Sequence, residues 1–334
     1  MQKIRVGVLR GGPSNEYEVS LKTGATVLKH LSEDVHDLPP DSLHGIYDVQ
    51  DILISRDGTW HKNGTPIAPH DAIAHVDVIF NALHGHYGED GKLQHFLEMH
   101  GVPFTGSASF PSAIGMNKVL SKEVFKKEGI RTPDHFVLRE VPTGDITDLF
   151  RTFSPPVVVK PVSAGSSVGI SLVKTPATFL EAIRKAFEHS DTVMLEEYIP
   201  GVEATVGVID GYRGSALYAL PPIEIRPHKE KGKAFYDYEA KYEDKSDIIV
   251  PSTFTKEQKL ELEDLARRAH EALGLRHYSR TDFIVSPRRG IYVLEVNTLP
   301  GLTDHSCVPK ALGSIGAPLS HFLDHVLQLA LAKK

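Results

Sequence analysis

The chain opens on an alternation, Ile4, Val6 and Val8 in "KIRVGVLRGG", that runs into a glycine turn, after which Leu21, Ala25, Leu28 and Leu31 recur at helical spacing. The pattern predicts a strand, a turn and a helix whose apolar face carries those four residues. A second apolar run, "DVIFNALHG", precedes "GEDGKLQHFLEMHG", where Leu93, Phe96 and Leu97 mark one helical face and Gly101 is placed to stop the helix. Strands alternating with helices predict a parallel sheet. Beyond Met116 the pattern changes to the helical "NKVLSKEVFKKEG", the strand "HFVL", and then "PVVVKPVSAGSSVG". Three consecutive valines read as a strand buried on both faces, yet this strand ends in Lys160, beside a loop with almost no side chains. Thr175 and Pro176 are expected to cap a helix ending near His189. From Val193 the chain reads as long strands, "VMLEEYI", "EATVGVI" and "SALYAL", followed by the aperiodic polar stretch "RPHKEKGKAFYDYEAKYEDKSD", which is either a surface tail or a mobile lid. Thr255 and Gln258 form a capping box for a helix carrying Leu262, Leu265, Ala266, Ala269 and Leu273.

Composition narrows this outline. A chain of 334 residues with 41% hydrophobic and 24% charged residues is an ordinary soluble globular protein long enough for two or three domains. A net charge of −6 and a pI near 6.3 leave no basic stripe for nucleic-acid phosphates. The lone cysteine, Cys307, makes no internal disulfide, and "MQKIRVGVLRGG" lacks a long apolar run. A cytoplasmic location without a membrane partner is the expectation.

The clearest chemistry lies in "RTDFIVSPRRGIYVLEVN", residues 280–297. Symmetric pairing about Arg288 and Arg289 sets Asp282 opposite Glu295 and Arg280 opposite Asn297, all on one face. Two facing carboxylates repel unless a cation lies between them. Oxygen donors alone suit Mg²⁺ completed by nucleotide phosphates, and no His/Cys cluster argues for zinc. The plainer alternative is a solvated sheet face on which Arg280 neutralises one acid. Lys160 is not part of a Walker A loop, since Pro161 follows it and the glycines come afterwards. It either reaches nucleotide phosphates beside the N–H groups of "SAGSSVG" or snorkels to solvent. The first βα turn, "RGGPSNEYEVSLKTG", lacks the third glycine of a dinucleotide fingerprint. Glu16 there either favours the helix macrodipole or holds a substrate ammonium, and His84, at a strand's C-terminal end, is either structural or part of a ligand site.

Taken together, "GGPSNEYEVSLKTG", "ALHGHYGEDGKLQ", "KPVSAGSSVGI", "FYDYEAKY", "RTDF" and "EVNTLPGLTDHSCVP" resemble the D-alanine–D-alanine ligases of the ATP-grasp superfamily, in family order and across nearly the whole chain. The resemblance implies an α/β ATP-grasp fold of three domains: a parallel-sheet N-terminal α/β domain over 1–116, a central α+β domain over 117–198, and a C-terminal α+β domain over 199–334 with a mobile lid at about 228–245. ATP would lie between two antiparallel sheets. The implied reaction joins two D-alanines through an acyl phosphate for peptidoglycan precursors, using ATP and Mg²⁺, with Mn²⁺ able to substitute, in a homodimer.

By matching position, Lys118, Lys160 and Lys241 would contact phosphates, with Ser166 and Ser167 in the covering loop. Glu196, Glu197, Tyr198 and Ile199 would line the adenine pocket and Glu203 would face the ribose. Asp282, Glu295 and Asn297 match metal ligands. Glu16 would hold the first D-alanine's ammonium with His84 near its carboxylate, and Ser166 with Tyr242 would tie Glu16 to the lid. Arg280 and the Gly301 amide match oxyanion contacts, and Ser306 with the Cys307 amide the second carboxylate site. Tyr17 and Leu302 depart from residues common in the family without removing a functional group. The alternatives are a D-alanine–D-lactate or D-alanine–D-serine ligase, or a nucleotide-binding protein that has lost turnover.

Overall fold

The computed structural model describes residues 3–32, 47–163, 168–227 and 246–332. Ser166, Ser167, Lys241 and Tyr242, and the expected lid, lie outside them. The described strands form three sheets in chain order.

The first holds β1 (Ile4–Gly11), β2 (Tyr47–Ile54), β3 (Trp60–Lys62), β4 (Thr65–Pro66) and β5 (Val78–Asn81) in the order β4-β3-β2-β1-β5. β1 runs parallel to β2 and β5, but the sheet is not wholly parallel as expected, because β3 and β4 add an antiparallel hairpin at the edge. Its turn is Asn63-Gly64, both at positive φ (52° and 77°), the conformation a two-residue hairpin demands. Helix α1 (Tyr17–Ser32) follows β1, but with a different face inward from the one its leucines suggest. Ser20, Thr23, Gly24, Val27 and Leu31 are buried, while Leu21 and Leu28 are half-buried and Ala25 is exposed. Hydrogen bonding turns the helix: Ser20 Oγ accepts from Gly11 N and donates to the Ala82 carbonyl, each at 2.8 Å, which serves two buried backbone groups at the ends of β1 and β5.

The second sheet, β6 (His135–Leu138), β7 (Val157–Pro161), β8 (Ser171–Val173) and β9 (Val193–Glu197), is antiparallel in the order β6-β9-β7-β8. β7 is buried along its whole length, as its valines suggest. A 3₁₀ turn at Pro176–Thr178 precedes the covering helix, Phe179–Phe187, so that helix starts later than expected and Thr175 makes no side-chain cap.

The third sheet contains β10 (Val202–Asp210), β11 (Leu217–Ala219), β12 (Ile223–Pro227), β13 (Ser246–Ile249), β14 (Tyr278–Ser286) and β15 (Gly290–Asn297), all antiparallel. The helix Lys256–Ala272 packs Leu262, Leu265, Ala266 and Ala269 against it, and its capping box has both reciprocal bonds. In the β14–β15 hairpin Asp282 faces Glu295 and Arg280 faces Asn297, the register expected from symmetry. A bulge then shifts the pairing so that Phe283 faces Val293 and Leu294 is the extra residue. The helix Cys307–Ser314 packs on β10, and the last helix, Leu319–Ala332, folds back on the first sheet, where Phe322, Leu323, Val326 and Leu327 share a core with Val6, Val8, Val27 and Phe80. Among the described residues no helix is long and apolar enough to cross a membrane.

Candidate active site

The chain leaves β1 for β2 on one side and returns to β5 on the other, so a crevice opens at the C-terminal ends of β1 and β5, where open α/β sheets collect ligands. Glu16 and His84 follow those two ends. Ser14 joins their loops, its Oγ donating to the His84 carbonyl (2.6 Å) and accepting from Glu16 N (3.1 Å). Gly85, at φ +69°, lets the Glu16 carboxylate come close, since a Cβ there would lie 2.6 Å from Oε2. His84 Nε2 is 2.8 Å from Thr23 Oγ1, and its Nδ1 is 4.0 Å from Glu89 Oε1. Burial pushes the Glu89 carboxyl above its ordinary range, with His84 opposing and Glu16 reinforcing the rise. The polar residues buried under α1 thus hold a histidine and a carboxylate in place.

Helix Lys118–Lys127 carries two inward lysines one turn apart. Its start is fixed by Asn117, whose side chain accepts from Val119 N and Leu120 N at 3.1 Å. Lys118 Nζ reaches Glu295 Oε2 on β15 at 3.2 Å, whereas Lys122 Nζ reaches Glu196 Oε2 on β9 at 2.7 Å. One helix therefore ties the second sheet to the third. From β7, Lys160 Nζ donates to Glu196 Oε1 at 2.7 Å. Burial alone would raise the Glu196 pKa, but Lys122 and then Lys160 hold it below the ordinary value.

On the third sheet, Arg280 grips Asp282 through Nε and Nη2, each at 2.9 Å, and Thr205 Oγ1 adds a 2.6 Å bond to the same carboxylate. The facing acids thus each have a protein cation, Arg280 on Asp282 and Lys118 on Glu295. Among the described residues no group of three His, Cys, Asp or Glu side chains forms a metal site on its own. The donor set still fits Mg²⁺: two carboxylates and the Asn297 amide share a face, and Asn297 Oδ1 is oriented by accepting from Leu299 N at 2.9 Å. Ser306 begins the helix Cys307–Ser314, and its Oγ lies 2.9 Å from Thr303 Oγ1.

A cavity of about 690 Å³ is lined by residues of the second and third sheets and by helix α1 and the loops that follow β1 and β5 of the first. Every expected site residue within the described segments borders it: Glu16, His84, Lys118, Lys160, Glu196 to Ile199, Glu203, Arg280, Asp282, Glu295, Asn297, Gly301, Ser306 and Cys307.

A family model for the D-ala D-ala ligase C-terminus matches residues 124–328, and one for the N-terminus matches 61–107. The chain belongs to the D-alanine–D-alanine ligase family. It is 38% identical to the D-alanine–D-alanine ligase of Geobacter sulfurreducens over 329 residues, covering 98% of this chain and 94% of that one. Against the Halalkalibacterium halodurans ligase the identity is 36% over 338 residues, covering 99% and 100%. Among solved structures, the Bacillus anthracis ligase superposes with a TM-score of 0.79 at 33% identity, covering 98% of each chain. The VanG D-Ala:D-Ser ligase of Enterococcus faecalis gives 0.83 at 29% identity, covering 98% and 100%. The architecture is the ATP-grasp fold of these ligases.

Sequence reasoning passed over Thr23, Glu89, Lys122 and Thr205 in this ligase. Lys122 had a signal: Lys118, Ser121, Lys122 and Phe125 form the buried stripe of their helix, and lysines on such a stripe need a partner. Thr23 had none, because it acts through His84, 61 positions away, and Glu89, though within five residues of His84, sits in an aperiodic glycine-rich loop.

Proposed function

We propose that the chain condenses two D-alanines to D-alanyl-D-alanine, converting ATP to ADP and phosphate. The supporting observation is one cavity that brings buried lysines, an oxygen-donor face and the Glu16 carboxylate into one space. Lys118, Lys160 and Lys241 hold the phosphates, with Ser166 and Ser167 closing over them. Glu196, Glu197, Tyr198 and Ile199 line the adenine pocket and Glu203 meets the ribose. Asp282, Glu295 and Asn297 hold Mg²⁺, which when bound offsets charge on the transferring phosphoryl oxygens.

Glu16 takes the first D-alanine's ammonium, and His84, steadied by Thr23 and Glu89, faces its carboxylate. A carboxylate oxygen attacks the γ-phosphorus, the bond to ADP breaks, and an acyl phosphate forms. The second D-alanine, its carboxylate held by Ser306 and the Cys307 amide, attacks the acyl carbon with its free amine. Arg280, its plane set by Asp282, and the Gly301 amide stabilise the oxyanion, each donor contributing on the order of 3 kcal/mol. Collapse expels phosphate. Ser166 and Tyr242 link Glu16 to the lid, and closure keeps water from the acyl phosphate. The reading extends to a cytoplasmic homodimer supplying peptidoglycan precursors, with domain boundaries near 116 and 198.

The test is phosphate release from ATP and Mg²⁺ across a panel of D-alanine, D-serine and D-lactate, with products identified by mass. D-Alanyl-D-alanine is the expected main product. A main product containing D-serine or D-lactate overturns the substrate assignment, and absence of ATP turnover overturns the reaction.

A further inference from the structure

Glu196 lies between two ammonium groups, with Oε1 2.7 Å from Lys160 and Oε2 2.7 Å from Lys122. The side chain of Lys122 is 0% exposed, and Glu196 and Lys160 are nearly as buried. Lys160 and Glu196 border the cavity, whereas Lys122 does not. Its ammonium also donates to Thr132 Oγ1, so it is anchored behind the cavity wall.

Burying an ammonium is expensive unless something requires its charge. Lys160 alone already balances the charge of Glu196 by donating to Oε1, so the second cation at Oε2 leaves the group with an excess positive charge. Lys160 needs the arrangement. With Glu196 alone it would form a neutral pair, and the carboxylate would cancel most of the field an approaching phosphate feels. With Lys122 added, two cations and one anion leave one net positive charge, in surroundings where charges interact several-fold more strongly than in water.

We infer that Lys122 is a positioning residue for nucleotide binding: it offsets Glu196 from outside the cavity and so leaves the charge of Lys160 available to the phosphates. The inference rests on the nucleotide reading of this cavity proposed above.

Calorimetric titration of the full-length protein with Mg²⁺-ATP and with adenosine tests it. Lys122→Met is expected to weaken ATP about tenfold or more while changing adenosine less than about threefold, because only the phosphates feel the lost charge. Lys122→Arg should retain ATP affinity. Lys122→Met combined with Glu196→Gln should recover ATP affinity relative to Lys122→Met alone, since removing the anion restores the single net positive charge on Lys160. Equal losses for ATP and adenosine, an unchanged ATP affinity in Lys122→Met, or a double variant that binds ATP as weakly as Lys122→Met would each overturn the inference. If Lys122→Met does not fold, the arginine variant and the double variant, each compared with the unmodified protein, decide the matter. An unmodified protein that fails to bind ATP would overturn the nucleotide reading, whereas ATP binding that is indifferent to Lys122 overturns this inference alone.

Discussion

Glu295, Lys160 and Lys122 each carry a charge into or behind the cavity, and each makes a separable prediction. Glu295→Gln removes one of two facing carboxylates. Turnover should fall by at least the roughly 100-fold that loss of even an outer partner can cost a metal site, with little change in thermal midpoint. Normal activity with unchanged Mg²⁺ dependence would dismiss the metal role. Lys160→Ala deletes a charge-assisted contact, so KM for ATP should rise about tenfold or more with KM for D-alanine much less affected. Equal effects on both substrates would mark the lysine as merely structural. Lys122 adds a pH dependence. Burial pushes it down to about 8, Glu196 and Glu295 oppose the drop, Lys160 adds to it, and His135 lies in the same field. Below that pH the lysine is charged and the trio is net positive; above it the proton leaves and the net charge vanishes. ATP affinity should therefore decline between about pH 7 and about pH 9, and Lys122→Arg should remove the decline because a guanidinium stays protonated. Isothermal titrations across that range provide the check.

At the level of elements, helix α1 is the part whose sequence pattern misleads. Its leucines suggest one face, but burial follows Ser20, Gly24, Val27 and Leu31, because the helix must satisfy loop groups near Gly11 and Ala82 and reach His84 with Thr23. Gly24 lies close against β1: a Cβ there would stand 2.5 Å from Arg10 Cβ, an atom that cannot swing aside. Gly24→Ala should cost about 1–3 kcal/mol by overpacking in urea unfolding, and KM for D-alanine should rise as Thr23 and Glu16 shift. A neutral substitution would mean that the helix backs away without disturbing the site. The capping box, by contrast, is local and was legible, because Thr255 and Gln258 need only each other's backbone. The Asn63-Gly64 hairpin was also written locally, yet periodicity overlooks strands of three and two residues.

Across the whole molecule, the site depends on three sheets meeting and on the chain's last helix bracing the first of them. Phe322 is wholly buried beneath that sheet, and Tyr47 donates to Asp324 at 2.7 Å. Phe322→Ala should destabilise the protein by about 3–5 kcal/mol, read as a lower thermal midpoint. Because the helix braces the sheet bearing Glu16 and His84, D-alanine saturation should suffer before ATP binding does. Loss of ATP binding first would contradict that order. The Lys118–Lys122 helix couples the remaining two sheets, with one lysine engaged on each.

By itself the sequence determined the features that depend on neighbours along the chain: the buried valine strand, the capping box, and the hairpin that sets Asp282 against Glu295. Strand period and pairing about a short turn are enough for these, and the symmetric register held at the acidic end because the bulge at Leu294 falls between it and the turn. The ordered motifs also carried the family resemblance and its candidate residues. Only the tertiary structure decided which face of α1 turns inward, that Arg280 and Lys118 already answer the facing acids, and that Lys122 stands behind Glu196. Each of those outcomes is a competition among groups far apart in the chain for burial and for a partner, and such a competition has no period to read.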